Sequence, residues 1–97
     1  MSNKYLERKV KLQKENAKQM ELEYYLLESN VDSDNDMSFK KVYGIEIVKR
    51  DNKKFEMKAV QTFSHCREKT INVLSKLANN TVTPLDLPFI LDDILAE

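Results

Sequence analysis

Residues 19–28, QMELEYYLLE, decide the fold of this chain. Apolar side chains recur there at every second position, which is typical of a β-strand with one buried face. That face carries Met20, Leu22, Tyr24 and Leu26. The next segment, residues 29–36, is rich in Asn and Asp, whose side chains hydrogen-bond their own backbone in turns. The pattern therefore predicts a strand over about residues 18–28 that ends in a polar loop.

The segment before this strand predicts another strand, over about residues 6–13. Residues 9–13, KVKLQ, alternate strictly, and residues 14–17, KENA, are suited to a turn. A helix over residues 4–20 is an alternative, but its apolar face would include Gln13 and would be a weak stripe. A disordered arm is a second alternative. We favour the β-hairpin.

Two further strands follow the polar loop. A strand over about residues 39–50 has on one side Phe39, Tyr43, Ile45 and Ile47. Asp51 and Asn52 predict a tight turn. A fourth strand over about residues 53–62 has on one side Phe55, Met57 and Ala59. We expect these apolar sides to face the core.

The hydrophobic period then changes and predicts two helices. Ser64 is a good N-cap for a helix over about residues 65–79. The apolar face of this helix comprises Cys66, Thr70, Ile71, Val73, Leu74, Leu77 and Ala78. Pro84 and Pro88 suit the entry of a second helix, over about residues 86–96. The predicted fold class is α+β: a four-stranded antiparallel β-meander followed by two C-terminal helices, in a single domain over residues 1–97.

Composition narrows the classes of function. The chain has 97 residues, of which 16 are basic and 16 acidic, so its formal net charge is zero. No apolar run approaches the ~18 residues of a membrane helix. Cys66 is the only cysteine, so no internal disulfide forms, and the first residues lack the apolar stretch of a signal peptide. These features favour a cytoplasmic protein with no membrane partner.

The net charge of zero is a sum of blocks of opposite sign. Residues 1–20 carry six basic and two acidic side chains, and residues 21–37 carry six acidic ones. Residues 38–58 carry seven basic and three acidic ones. In a meander the acidic second strand lies between two basic strands, so opposite charges face each other across the ladder. The charge pattern therefore predicts which strands are neighbours in the sheet and does not indicate a chemical activity.

The sheet face away from the predicted core carries more apolar side chains than a solvated face requires. They are Tyr25, Leu27, Val42, Val48 and Val60, with Gly44 among them. Either the last helix covers this face, or a second copy or another protein does. A glycine within a strand indicates a bulge or the close approach of a backbone, a ring or a partner. This face is the first candidate site, for an unknown protein partner or a homodimer.

Basic residues around the third and fourth strands form the second candidate site. They are Lys40, Lys41, Lys49, Arg50, Lys53 and Lys54, with Phe39, Tyr43 and Phe55 between them. Strand aromatics with basic neighbours are typical of sheets that bind RNA. However, these aromatics lie on the predicted core face, and acidic residues interrupt the patch. A nucleic-acid-binding module is therefore the alternative function.

No motif predicts catalysis or a bound cofactor. Residues 32–36, DSDND, begin like a calcium-binding loop, but Met37 replaces its glycine and Tyr43 its last glutamate. His65 and Cys66 would point about 100° apart on a helix and would not form a nucleophile–base pair. We expect Cys66 to be buried. Zinc needs three or four ligands, and the supply of His and Cys ends at two. We expect no enzyme activity, metal, cofactor or small-molecule substrate.

Three motifs follow one another along the chain: Tyr25-Leu26-Leu27-Glu28, Tyr43-Gly44-Ile45-Glu46 and Val82-Thr83-Pro84-Leu85-Asp86-Leu87. In this order they resemble a family of small proteins of unknown function from clostridia and related bacteria. The resemblance covers roughly residues 20–96. The chain departs from the family pattern at Thr83, where the family has Ser, and at Asp86, where it has His. The resemblance implies a bacterial, intracellular protein and supplies no catalytic residue, so we expect a non-catalytic interaction or regulatory module.

Overall fold

The chain folds into a four-stranded antiparallel sheet followed by two helices. A computed structural model describes residues 2–13, 19–32, 39–51 and 54–96. The elements are β1 (Ser2–Gln13), β2 (Gln19–Asp32), β3 (Phe39–Asp51), β4 (Lys54–Ser64), α1 (Arg67–Asn79) and α2 (Leu87–Ala96). The strands lie in the order β1-β2-β3-β4, and each pairs antiparallel with the next. This confirms the predicted α+β fold class.

Two strands extend four residues beyond one of their predicted ends. β1 begins at Ser2 instead of near residue 6, and β2 continues to Asp32, past the predicted end at residue 28. β2 continues because its residues 29–32 pair with residues 39–42 of β3, so the ladder overrides the turn preference of Asn and Asp. The turn predicted at residues 14–17 lies outside the described residues.

One face of the sheet, the inner face, packs against the helices. At its centre Leu26 of β2 pairs with Ile45 of β3. Beside them Tyr24 pairs with Ile47, and all four side chains are fully buried. The helices cover them with Val73, Leu74, Leu77, Ala78, Leu87 and Leu91. Burial of each large apolar side chain contributes roughly 1.5–3 kcal/mol, so this layer holds the helices to the sheet.

β4 turns the opposite side to the core from the one predicted. The prediction that Phe55, Met57 and Ala59 lie in the core is wrong: they lie on the other face, the outer face, and Phe55 and Met57 are 56% and 54% exposed. Val60, predicted on the outer face, pairs with Ile45 and packs against the core. A register shift of one residue exchanges the faces of a whole strand. The first half of β4 is exposed on both sides, so its own alternation does not identify the buried side.

A β-bulge in β4 crosses directly over Gly44. The register between β3 and β4 shifts between Tyr43 and Ile45. A Cβ atom on Gly44 would stand 2.2 Å from the backbone oxygen of Val60 and 2.4 Å from that of Gln61. Only glycine fits this crossing, because no change of side-chain rotamer relieves a contact with backbone. The group that approaches Gly44 is therefore a backbone.

Tyr24 ties the segment between the helices to the centre of the sheet. Its side chain is fully buried, and its hydroxyl donates a hydrogen bond to the backbone oxygen of Val82 at 2.8 Å. Burial raises the pKa of Tyr24 to about 12, because it disfavours the charged phenolate. Val82 is itself part of the core. The bond therefore fixes the place where the chain passes from α1 towards α2.

α1 ends in a Schellman turn that has threonine where glycine is usual. The N–H of Val82 donates to the oxygen of Leu77 at 3.0 Å, and the N–H of Thr81 donates to that of Ala78 at 3.1 Å. Thr81 has a φ of 48°, in the left-handed region. A residue with a Cβ is strained there by roughly 1–2 kcal/mol. The buried Val82 and its bond from Tyr24 hold the strained residue in place.

α1 begins two residues later than predicted, and Cys66 is exposed. Cys66 is the N-cap, and its backbone oxygen accepts hydrogen bonds from the Thr70 N–H at 3.2 Å and the Thr70 hydroxyl at 2.9 Å. Ser64, the predicted cap, instead accepts a hydrogen bond from the Cys66 N–H. The prediction of a buried cysteine is wrong because the N-cap precedes the helical periodicity that the apolar face follows.

Gly44→Ala is expected to lower the free energy of unfolding by about 3 kcal/mol or more, because the added Cβ must displace the backbone of β4. In an ordinary strand the same change stabilises by ~0.5–1 kcal/mol, so the two cases differ in sign. Denaturation by urea, followed by circular dichroism, measures the change. A variant as stable as the wild type would contradict the close crossing of β4 over Gly44.

Tyr24→Phe is expected to lower the free energy of unfolding by about 1–2 kcal/mol at neutral pH, because the buried Val82 oxygen loses its donor. The stabilisation by Tyr24 is fully present below the unfolded pKa of 10.0 and is lost as the pH rises towards about 12. This follows because the unfolded chain releases the phenol proton first. Urea unfolding of both proteins across this pH range should show the difference between them shrinking. A difference that stays constant would argue against the buried hydroxyl.

Thr81→Gly is expected to raise the free energy of unfolding by about 0.5–1 kcal/mol, since relief of the left-handed strain exceeds the extra entropy of an unfolded glycine. Asn80→Gly is the matched control. Asn80 has a φ of −99° and its Nδ2 donates to the Lys76 oxygen at 2.8 Å, so this variant should be destabilised. Thermal unfolding compares the two, and shifts of equal sign would contradict the strained turn.

Candidate functional site

The outer face holds five of the six residues predicted as a partner surface. They are Tyr25, Leu27, Val42, Gly44 and Val48, whereas Val60 lies on the inner face. Leu27, Val42 and Val48 are only 7%, 4% and 3% exposed, although the helices pack on the inner face. Among the described residues, it is therefore neighbouring side chains of the sheet that cover the apolar centre of the outer face.

Lys4 of β1 provides part of this cover. It pairs with Leu27 across the ladder, and its ammonium forms an ion pair with Glu46 of β3. The same ammonium lies 4.2 Å from the centroid of the Tyr25 ring in β2, where the ring quadrupole attracts a cation. One side chain thus bridges three strands, and Glu46 is buried beneath it.

Arg50 of β3 provides another part. Its Nε donates a hydrogen bond to the Glu23 carboxylate at 3.0 Å, and its guanidinium carbon lies 5.2 Å from the centroid of the Phe55 ring. The hydrogen bond to Glu23, together with the carboxylate charge, raises the pKa of Arg50 above its usual value. The arginine therefore joins β2, β3 and β4 on the outer face.

Further ion pairs join acidic β2 to its basic neighbours. Lys9 and Lys11 of β1 lie 3.6 and 3.9 Å from Glu21, and Lys41 of β3 lies 3.7 Å from Glu28. These pairs confirm that the charge blocks meet across the ladder. Exposed ion pairs stabilise by only about 0–1 kcal/mol each. Lys9, Lys11 and Glu21 lie on the outer face, whereas Lys41 and Glu28 lie on the inner face.

The predicted basic patch is divided between the two faces of the sheet. Arg50 lies on the outer face, and the inner side carries Lys41, Lys49 and Lys54. Lys49 lies 4.0 Å from Glu56, so it pairs with a carboxylate as Lys41 and Arg50 do. The side chain of Lys40 and the whole of Lys53 lie outside what the structure describes. The described members of the patch do not form one continuous basic surface.

Exposed apolar side chains gather beside β4. A groove of about 470 Å³ lies there, lined by Glu56, Met57, Lys58, Pro84, Leu85, Pro88 and Phe89. Leu85 and Phe89 are 70% and 72% exposed. β4 is an edge strand, so the backbone groups on its free side pair with no strand in the described part of the chain. Such a groove is suited to an extended peptide or an added strand.

Local hydrogen bonds fix the start of α2 and so the far wall of the groove. The backbone oxygen of Asp86 accepts a hydrogen bond from the Ile90 N–H at 3.1 Å, and its carboxylate accepts one from the Thr83 hydroxyl at 3.0 Å. Leu87 and Leu91 of the first turns are buried in the core. α2 therefore begins at a defined place, with Leu85 just before it.

The sequence pattern predicted no role for Leu85 or Phe89. Leu85 precedes the helix. Phe89 lies two positions after Leu87 and two positions before Leu91, so its side chain points about 200° around the helix from each of them. Helical periodicity identifies the residues of the buried stripe, and Phe89 does not belong to that stripe. The sequence feature that could have identified it is a large apolar side chain outside the stripe, between Pro88 and the Asp92-Asp93 pair.

The described residues contain neither a cluster of metal-ligating side chains nor a helix that could span a membrane. They contain no group of three or more His, Cys, Asp or Glu that could hold a metal ion. The His65 ring Nδ1 lies 3.4 Å from the Lys41 backbone oxygen, beside the exposed Cys66. Across residues 2–13, 19–32, 39–51 and 54–96, neither helix has the length and apolarity to cross a membrane.

Comparison with known proteins supplies a family and no activity. No curated protein and no solved structure matches the chain. Residues 3–97 match a family described as "Family of unknown function (DUF6514)". The match runs from β1 through α2 and confirms the predicted membership of a family of unknown function. The chain belongs to this family, DUF6514.

Proposed function

We propose that this chain is a small, non-catalytic, cytoplasmic bacterial protein that binds another protein chain through the groove beside β4, as an interaction or regulatory module. The observation that carries the proposal is the exposure of Leu85 and Phe89 at 70% and 72%. Two large apolar side chains beside a free strand edge match the way in which sheets take up an extended segment. The single cysteine and the family resemblance support the location and origin.

The proposed site lies next to the outer face that the sequence pointed to. A partner on the centre of that face would have to displace Lys4 and Arg50 from Glu46 and Glu23. A partner in the groove displaces neither. Met57 belongs to both surfaces, since it lies on the outer face and lines the groove. The groove therefore gives access to the edge of the outer face without breaking its ion pairs.

A protein partner is favoured over a nucleic acid. Binding to a phosphate backbone depends on cations that are free to neutralise it. Lys41, Lys49 and Arg50 each lie within 4.0 Å of a carboxylate, which a phosphate would have to replace. The groove itself offers apolar side chains, with one acidic and one basic residue.

A photo-reactive amino acid in place of Phe89 is expected to cross-link to a protein chain in living host cells, because position 89 faces the groove. The same substitution at Leu85 should give the same adduct. Lys76, exposed on α1 and absent from the groove, is the matched control and should give none. Denaturing gels and mass spectrometry identify the adducts.

The pattern of adducts decides the proposal. Adducts at positions 85 and 89 that are absent at position 76 support it. A complete lack of adducts at both groove positions, or equal yields at position 76, would contradict a binding role for the groove.

A further inference from the structure

The two edges of the sheet carry different charge patterns. The exposed edge strand β1 holds Lys4, Arg8, Lys9 and Lys11 against one acidic residue, Glu7. Its register is also interrupted by a bulge between Leu6 and Arg8. A second β1 placed beside it would bring mostly like charges together, which destabilises strand pairing. Basic side chains and bulges of this kind protect an edge from pairing.

The β4 edge differs from β1 in its charge pattern and in the straightness of its register, although β1 also exposes Tyr5 and Leu6. Its straight part, residues 54–60, alternates in charge on the inner side, where Lys54, Glu56 and Lys58 follow one another. On the outer side Phe55 and Met57 are more than half exposed. The β-bulge over Gly44 begins only after Val60. This edge is therefore straight, apolar on one side and of mixed charge on the other.

We infer that the occupant of the groove is a second copy of this chain, whose β4 pairs antiparallel with β4 about a two-fold axis at Met57. The inference rests on the proposed interaction role and names its partner. In this register Glu56 of each copy faces Lys58 of the other, so two ion pairs form on the inner side. The two four-stranded sheets become one continuous sheet of eight strands.

The charge pattern selects this register over its neighbours. An axis at Glu56 would place Glu56 against itself and Lys54 against Lys58, and an axis at Lys58 would place that lysine against itself. Like charges directly opposite each other are destabilising. An axis at Phe55 places Lys54 opposite Glu56, so opposite charges meet, but only the first residues of β4 would then pair. The axis at Met57 uses the whole straight part of the strand.

The apolar side chains agree with the same axis. On the outer side Met57 meets Met57 of the second copy, and Phe55 lies opposite Ala59, where a small residue leaves room for the ring. The incoming strand runs along the groove, so it also covers Leu85 and Phe89. A homodimer formed in this way is isologous and closed, because each copy offers the same edge to the other.

Charge exchange tests the inference through the oligomeric state. Sedimentation equilibrium of the wild-type chain should show a dimer. Glu56→Lys should raise the dissociation constant by roughly tenfold or more, because two attractions become two repulsions. The double variant Glu56→Lys with Lys58→Glu should restore the dimer, since the opposite charges again face each other in this register alone. Glu68→Lys makes the same change of charge at an exposed position of α1, so this variant should leave the dimer intact.

A disulfide tests the position of the axis. In a Cys66→Ser background, Met57→Cys should form a cross-linked dimer on mild oxidation, because directly opposed residues bring their Cβ atoms within about 5.5 Å. Ala59→Cys is the matched control on the same face. Its two copies would lie about 13 Å apart, beyond the reach of a disulfide.

The outcomes separate this inference from the proposed function. A wild-type chain that remains monomeric at about 1 mM overturns the inference, as does a dimer that is insensitive to Glu56→Lys or that cross-links through position 59 instead of 57. If the chain is monomeric while position 89 cross-links to a different protein in cells, the inference fails and the proposed function stands. If neither a dimer nor an adduct forms, both fail.

Discussion

Burial of the apolar layer holds the helices on the sheet, and the hydrogen bond from Tyr24 to the Val82 oxygen fixes where the segment between the helices lies. Tyr24 stands on a central strand, and Val82 stands in the short segment between the helices. The bond holds that segment against the sheet, which in turn holds the left-handed Thr81 in the turn that ends α1. α2 then starts where it places Leu85 and Phe89 beside β4. The groove is thus a consequence of a buried contact in the core.

The central strands could be predicted from sequence, and the edge strand could not. β2 and β3 each have a strand on either side and one face under the helices, so burial imposes the alternation that the sequence shows. Residues 54–59 of β4 are exposed or only half-buried on both sides. Their apolar residues therefore lie on the surface. Periodicity alone does not distinguish an exposed apolar side of a strand from a buried one. The sequence indicated that some group comes close to Gly44. That group is the backbone of β4, at a bulge that follows Val60, 16 residues further along the chain.

The candidate site was predicted in part, for a related reason. The sequence placed Tyr25, Leu27 and Val48 on one face correctly, because their spacing within β2 and β3 determines it. Part of their cover comes from Lys4, which reaches from β1 across Tyr25 to Glu46. That contact requires the register of three strands at once. The charge blocks predicted the ion pairs in general but not which apolar residues would lie under them.

The distribution of charge, and not its sum, distinguishes the surfaces of this molecule. Within the sheet, the acidic β2 neutralises the basic strands on either side of it. The free sides of the edge strands β1 and β4 have no such neighbouring strand in the described part of the chain. An edge of one sign, such as β1, repels a copy of itself, whereas an edge of alternating sign is complementary to its own reverse. Lys54, Glu56 and Lys58 alternate beside exposed Phe55 and Met57, and this pattern is the reason that β4, and not β1, is the edge proposed to pair with a second copy.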